Sequence, residues 1–432
     1  MPGNTPLVVR NTAWAAGNEG LRLVSTLAVF YLVTTELGPA GYGRFAGISA
    51  FTATLTMLSS TWIVQLLLQE AIRHQRPLDE LLPRCLALAA GAGLLATALA
   101  VPLGLVLFPG VSFLALLCFT SAELLGGAAV SIGAGTVQSQ GRFGHATRIT
   151  LRHVVCRMAA VVALALLTRI TLTSLAVTLF TISTVLGWIS LRTASRTYRV
   201  PIGFARPSLV EVRQGMSYAF TMASFGVQED SDKTLMVRLG SPAEAGVYAA
   251  GYRAVQIAML PIRSLVSATH NSFLDHDETL SRQHVRRSAR YASIAGAYAL
   301  VATAVLYLAS NLLMKVLGSD YREASVVVKW IAPLVLLRAI SLFPFNGLMG
   351  AGRTGIRTAI VATSAAVNLV GNIILIPLHS WRGAAAATFI SEVVFVVLTW
   401  SALLWCDRPR KHLPAPVPHP ELLDPAQEVT PA

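Results

Sequence analysis

Hydrophobic and polar positions alternate along this chain on a long period. Apolar runs of membrane-crossing length are separated by short polar breaks. A helix crosses the hydrocarbon of a bilayer with about 20 residues at 1.5 Å rise each. Twelve such segments can be marked, at 10–36, 43–70, 84–108, 112–137, 149–168, 171–191, 214–240, 243–272, 289–313, 325–349, 356–379 and 382–406. The pattern predicts an all-α polytopic membrane protein of about 12 transmembrane helices. Prolines at 102, 261, 333 and 344 fall inside spans and predict kinks. The polar, Pro-rich stretch 407–432 predicts a disordered tail.

One stretch breaks the apolar pattern at its centre. Gln228-Glu229-Asp230-Ser231-Asp232-Lys233 lies between GMSYAFTMASFGV (215–227) and TLMVRLG (234–240). Acids and a lysine at membrane depth are costly unless they face water or one another, so they mark a functional site by default. On a helix, Glu229, Asp232 and Lys233 share one face at i, i+3 and i+4. Three readings are open: residues lining a cavity, a self-neutralised pair that packs helices, or a loop that begins near Val227.

Composition narrows the class. Of 432 residues, 54% are hydrophobic and only 13% charged, where a soluble domain carries about a quarter charged. The net charge of +13 would suit a nucleic-acid partner, but the arginines sit in short loops and no nucleic-acid-binding motif is present. Cys85, Cys118, Cys156 and Cys406 stand singly, without CxxC spacing, which indicates neither a metal site nor a disulfide framework. The first segment carries Glu19 and Arg22 and is followed by others like it, so it reads as a span and not as a cleaved signal. Basic residues collect in the loops after even-numbered segments, as at Arg73, Arg76 and Arg84, and at Arg196, Arg199, Arg206 and Arg213. The loop after segment 9 is an exception, its Lys315, Arg322 and Lys329 partly offset by Asp320 and Glu323. The positive-inside rule then predicts N and C termini in the cytoplasm.

The chain also repeats itself. Leu37-Gly38 followed by Gly43-Arg44-Phe45-Ala46 corresponds to Leu239-Gly240 followed by Gly246-Val247-Tyr248-Ala249, and QGRFGHAT (140–147) to AGRTGIRT (351–358). An even number of spans in each half predicts a parallel repeat, related by an axis along the membrane normal, with the transport pathway between the halves. The expected organisation is a six-helix lobe over 1–192, a basic cytoplasmic linker over 193–213, a second six-helix lobe over 214–406, and the tail 407–432.

These residues resemble those of Wzx-type polysaccharide flippases, members of the MOP (multidrug, oligosaccharidyl-lipid and polysaccharide) exporter superfamily that includes the MATE transporters. The resemblance is carried by LGPAGYGRFA (37–46), DKTLMVRLGSPAEAGVYAAGYR (232–253) and NLVGNIILIPLHSWRGAAAAT (368–388). Glu229 and Asp230 depart from it by adding acids. The resemblance implies a V-shaped, two-lobed transporter, not an enzyme, in the bacterial cytoplasmic membrane. Its cargo would be an undecaprenyl-diphosphate-linked oligosaccharide for surface polysaccharide such as O-antigen, lipopolysaccharide or exopolysaccharide. Polysaccharide polymerase and assembly proteins are the implied partners.

A diphosphate cargo needs buried cations. The intramembrane bases Arg22, Lys233, Arg253 and Arg338 are the candidate substrate contacts, with Arg22 and Lys233 in equivalent segments of the two halves. Arg22 has an equal alternative as an ion pair with Glu19 at i, i+3. Arg253 could also pair with Asp232, while Arg157 and Arg263 read as snorkelling side chains. Without a GKS/T phosphate loop for ATP, energy is expected from a proton or sodium ion carried by Asp230, Asp232, Glu123 or Glu229, with no other cofactor. Glu123 has no partner in its own segment, and Glu392 reads as an interhelical contact. Asn346, Asn368 and Asn372 could meet sugar hydroxyls or cap backbone. The alternatives are a MATE-like cation-coupled drug or metabolite exporter and, from another class, a membrane enzyme acting on lipid-linked sugars. The enzyme is disfavoured by short outer loops and by the unpaired setting of His270, His276 and His284.

Overall fold

The computed structural model describes residues 5–72, 74–269, 282–350 and 353–406, with residues 5–20, 22, 214, 217, 282–284, 349–350, 354 and 406 described by backbone alone. The expected tail 407–432, His270, His276 and the side chains of Arg22, Glu19 and His284 therefore lie outside the described residues. Those described form helices: α1 (Thr5–Thr56), α2 (Trp62–Ile72), α3 (Leu78–Leu107), α4 (Phe113–Ser121), α5 (Ala128–Ser139), α6 (Phe143–Leu167), α7 (Leu172–Tyr198), α8 (Leu209–Leu239), α9 (Pro242–Ala258), α10 (Leu260–Thr269), α11 (Arg282–Ala309), α12 (Asn311–Leu317), α13 (Arg322–Ile331), α14 (Leu334–Gly350), α15 (Thr354–His379) and α16 (Trp381–Cys406). Two π-helical stretches, Met57–Thr61 and Ala122–Gly127, join α1 to α2 and α4 to α5.

As far as they are described, the twelve apolar segments fall mainly on helix, but the helices do not each deliver one clean span. Among the described residues eight are long and apolar enough to cross a membrane, or nine if the pair Ser319–Ile331 and Leu334–Leu348, bent by 45°, is one span. The difference has physical causes. Leu23–Ile72 counts once although it holds two of the segments, and it is broken at Gly38, whose φ of 64° and ψ of −179° leave the helical region. Only glycine adopts such a conformation readily, and Pro39 then restarts the helix with its φ already set. α8 is not among the eight because the charged stretch dilutes its hydropathy, and the α9–α10 stretch is interrupted at Met259. Of the expected proline kinks, Pro333 lies at the break between α13 and α14, and Pro261 sits just inside α10. α3 and α14 run through Pro102 and Pro344 without interruption.

Apolar side chains cover the outside as well as the core. Leu95, Leu99, Leu103 and Val106 of α3 are each at least half exposed, an outward face that suits lipid and not water. Inside, α3, α4, α5 and α7 pack on one another, as do α11, α14, α15 and α16. Helix α1 lies against α6, which packs on α5 and α7 of the first group, and against α8 and α9, which pack on the second, so it ties the two groups together.

The tie is closest where α1 crosses α9. A Cβ on Gly43 would stand 1.8 Å from the Pro242 carbonyl oxygen and 2.7 Å from the Gly246 nitrogen. One on Gly246 would stand 2.0 Å from the Pro39 carbonyl oxygen and 3.0 Å from the Gly43 nitrogen. Pro39 corresponds to Pro242 and Gly43 to Gly246 at one offset in the sequence, so the two copies of the repeat meet reciprocally, as across a two-fold axis.

The connection between α7 and α8 is shorter than the expected linker, since only 199–208 is non-helical. It is pinned at its end. Ser208 caps α8 by accepting from the Glu211 N–H at 3.1 Å, and Glu211 returns the contact to the Ser208 N–H at 2.9 Å, a capping box. The same carboxylate accepts from Arg76 at 2.9 Å and Arg84 at 3.3 Å. Burial works against its charge, but the Ser208 N–H and the two guanidinium groups outweigh burial and hold the carboxyl below its ordinary value of 4.5. A carboxyl depressed in the folded state adds stability above its unfolded value, lost as pH falls through the folded one. Glu211→Gln is expected to cost about 1–3 kcal/mol at pH 7. In thermal melts its deficit relative to wild type should shrink as the pH is taken below 4.5.

Candidate functional site

The charged stretch lies in mid-helix, because α8 runs unbroken from Leu209 to Leu239. The loop reading is therefore wrong: the capping box starts α8 upstream, and Gly240 stops it only after the charges. Within one turn the charges then separate to different faces. Lys233 is buried, with a side chain 8% exposed, and its Nζ donates to Asp230 at 2.9 Å, to Asp232 at 3.3 Å and to the Glu229 carbonyl. The Tyr252 ring lies beneath the ammonium, 4.0 Å from Nζ to the ring centroid, a cation–π contact. The expected pairing of Glu229 with Lys233 through its carboxylate is not made. Glu229 turns instead to Arg263 at 3.1 Å and to Arg338 at 3.8 Å.

Asp232 meets α9 and α16 with its outer oxygen. Its Oδ2 accepts from the Tyr248 hydroxyl at 2.7 Å and lies 3.5 Å from the Thr388 hydroxyl, while Oδ1 accepts from the Lys233 N–H at 2.7 Å. A fully buried polar network adjoins it. Ser231 donates to Asn368 Oδ1 at 2.6 Å, Asn372 donates to the same oxygen at 2.8 Å, and Asn368 donates to Ser391 at 3.0 Å. Asn372 Oδ1 is left without a partner. These asparagines bond to side chains across α8, α15 and α16, which neither of the two sequence readings anticipated. They do not line the cavity described next.

That cavity, of about 380 Å³, lies between α1, α6, α8 and α9. Its charged lining comprises Arg157 from α6, Asp230 and Lys233 from α8, and Arg253 from α9, with His153 and Tyr42 beside them. Two of the cations are paired: Lys233 with Asp230, and Arg157 with Glu123 at 2.5 Å. Arg253 forms no ion pair among the described residues. Its guanidinium donates to the neutral Gln256 at 2.8 Å, and its Nε is buried without a partner. The expected contact between Arg253 and Asp232 is not made, because Asp232 faces the opposite side of α8.

The sequence-predicted residues thus divide. Lys233, Arg253 and Asp230 come together in the cavity, with Glu123 behind its wall. Arg338 does not join them: it is buried against Glu392 at 2.7 Å, an ion pair between α14 and α16 where only a weak polar contact was expected of the acid. Arg157 was misread as a snorkelling side chain. It lies well inside α6 and is drawn inward by Glu123, which the π-helical stretch Ala122–Gly127 carries. A lone acid in an apolar segment was the available signal that some base had to face it. Arg263, by contrast, keeps a half-exposed side chain. Among the described residues no group of three or more His, Cys, Asp or Glu could hold a metal ion.

Known proteins bear on this geometry in two ways. The sequence profile described as "Polysaccharide biosynthesis protein" matches residues 36–327. No curated protein sequence matches the chain. Among solved structures, a MATE-family multidrug resistance transporter of the MOP superfamily in its inward-facing conformation is similar at 14% identity and a TM-score of 0.67, covering 90% of this chain and 96% of its own. An outward-facing MATE-family structure gives 13% identity and a TM-score of 0.62, over 91% and 94%. A MOP superfamily transporter from Pyrococcus furiosus, titled for the reverse polarity of its binding pocket, gives 13% and 0.61 over 91% and 94%. At such identities the likeness establishes the fold.

Proposed function

The chain belongs to the polysaccharide biosynthesis protein family, and from that premise we propose that it is an alternating-access flippase. Its cargo is an oligosaccharide on an undecaprenyl diphosphate carrier, moved across the bacterial cytoplasmic membrane for surface polysaccharide assembly. One observation carries the reading: the cavity between the two helical groups is lined by three cations, Arg157, Lys233 and Arg253, against the single carboxylate of Asp230. Such a lining suits an anion, and arginine suits a diphosphate in particular because its planar fork matches phosphate oxygens. The family and the fold support a transporter over an enzyme of the same lipid-linked sugars.

In this reading α1 and α2 form two spans that turn at Gly38, and α8 and the α9–α10 pair add one each, giving twelve in two six-helix lobes joined by the connection 199–208. Both termini are cytoplasmic by the distribution of basic loops. The crossing of Gly43 and Gly246 then lies on the outer side and closes it. The higher similarity to the inward-facing relative, 0.67 against 0.62, supports the same state. A cavity of about 380 Å³ is the size of a drug-like ligand, enough for a diphosphate head group but not for the full glycan. Lys233 and Arg253 hold the head group, and Arg22 of the first span is assigned to the cargo by sequence as a further cation. Coupling by a proton or sodium ion is assigned to Asp230, Asp232, Glu229 and Glu123. Asp232, amid buried oxygens, has the most enclosed setting of the four.

The test is a deletion strain carrying either the wild-type gene or Arg253→Gln. Loss of the gene should leave lipid-linked oligosaccharide on the cytoplasmic face with its synthesis intact, and the Arg253→Gln variant should restore less than a tenth of export. A block in oligosaccharide synthesis would identify an enzyme. Normal polysaccharide with altered drug sensitivity would identify a drug exporter.

A further inference from the structure

The cavity holds its three cations in unequal states. Arg253 is free of any carboxylate among the described residues and is held by neutral Gln256. Arg157 lines the same cavity from the opposite helical group but is occupied by Glu123, which is not itself part of the lining. Neither side chain of that pair is sealed off: Glu123 is 31% exposed and Arg157 24%. The acid sits in the first turn of the π-helical stretch Ala122–Gly127, a local departure from the α-helix that recurs at functional sites. A Cβ added to Gly127 would lie 3.5 Å from Glu123 Oε2, in ordinary van der Waals contact, so the carboxylate is not tightly enclosed on that side. The titratable groups acting on Glu123 are Arg157 and His153, both from α6, and His153 is bonded to Ser183 of α7 at 3.2 Å. Arg157 is thus the strong partner of this carboxylate, and the carboxylate is the strong partner of Arg157.

We infer that Arg157 is a further anion-binding residue, contributed by the first helical group, and that Glu123 is an internal competitor holding its place until a diphosphate-bearing ligand arrives. The inference rests on the reading of an anionic cargo and deepens it. An anion entering the cavity meets Arg253 first, since that guanidinium has no carboxylate to exchange. Reaching across to Arg157, it replaces Glu123 and binds both helical groups at once. Arg157 then keeps a counter-ion throughout the exchange. The same exchange weakens binding by the strength of the pair being broken, which keeps cargo releasable.

The experiment measures binding of two probes, inorganic pyrophosphate and farnesyl diphosphate, to the full-length protein in nanodiscs. Glu123→Gln keeps shape but removes the competing charge, so it should tighten both probes about tenfold, the equivalent of about 1.4 kcal/mol. Arg157→Gln should weaken both by a similar factor. In the Arg157→Gln background, Glu123→Gln should bring no gain. A merely structural pair gives the opposite sign, because breaking it can only loosen the site. Unchanged or weaker binding by Glu123→Gln, or a gain that persists without Arg157, overturns the inference. Equal responses of the two probes identify the diphosphate as the recognised group, whereas a response confined to farnesyl diphosphate identifies the lipid-borne form. Arg253→Gln separates the two levels of the argument. If the wild type binds neither probe, the anionic-cargo reading falls, and the inference with it. If binding is present and depends on Arg253 but ignores Glu123, only the competitor role falls.

Discussion

Replacing Lys233 by alanine is expected both to destabilise the protein and to abolish export. The ammonium is the shared counter-ion of Asp230 and Asp232, at 2.9 and 3.3 Å, in a side chain only 8% exposed. Removing it leaves two carboxylates within one turn of a buried helix without the base they share. Breaking a buried ion pair from one side costs about 3–5 kcal/mol, so Lys233→Ala should melt well below the wild type. That loss would mask any role in transport, which is why a second variant is needed. Lys233→Met with Asp230→Asn removes one charge of each sign, keeps most of the packing against Tyr252, and should recover much of the melting temperature. If Lys233 also contacts the cargo, export stays absent in the recovered double variant. Wild-type stability of Lys233→Ala would show that the acids do not depend on it, and full export by the double variant would remove Lys233 from the transport site.

Much of this arrangement was legible in the sequence because it rests on short-range pattern. The apolar segments, the charges within α8, and the candidacy of Lys233 and Arg253 all follow from residues close together in the chain. What was not legible depends on which way a helix faces. Arg338 and Arg253 look alike as buried bases, yet one meets Glu392 across α14 and α16 and the other opens on the cavity. Glu229 has Lys233 at the favourable i+4 spacing, but two arginines from other helices compete for its carboxylate and win. Arg157 finds its acid on another helix, through a π-helical stretch that no periodicity announces. Asn368 and Asn372 share one face of α15 at i, i+4, and only the approach of α8 and α16 turns that face into a buried network.

The repeated glycines make the boundary between these two kinds of legibility plain, and they carry the second large prediction. Their recurrence is visible in the sequence, but their reason is the backbone approach at the crossing of α1 and α9. Alanine at Gly43 or at Gly246 would set a methyl group 1.8 or 2.0 Å from a carbonyl oxygen of the facing helix. No rotamer relieves that clash, because the obstructing atoms are backbone, so the helices themselves have to separate. Overpacking a tight contact costs about 1–3 kcal/mol, which shifts the ratio of closed to open states by about 5- to 150-fold. Gly43→Ala and Gly246→Ala should therefore both favour the state open at this crossing and reduce export. Since each glycine abuts the other's preceding proline, the two variants should do so to a similar degree. A cysteine at the cavity-lining Ser49 reports the change through labelling by a membrane-impermeant thiol reagent from outside, in a background lacking the native cysteines. Labelling should rise in both variants and stay at the wild-type level in Gly91→Ala, where an added Cβ meets nothing within 4 Å. A rise in only one of the two would break the reciprocity of the repeat, while no rise in either, with export intact, would mean that the crossing is not a gate. Labelling that rises equally in both variants would make the glycines the point at which a duplicated sequence becomes a moving part, each half supplying the small residue that lets the other half close.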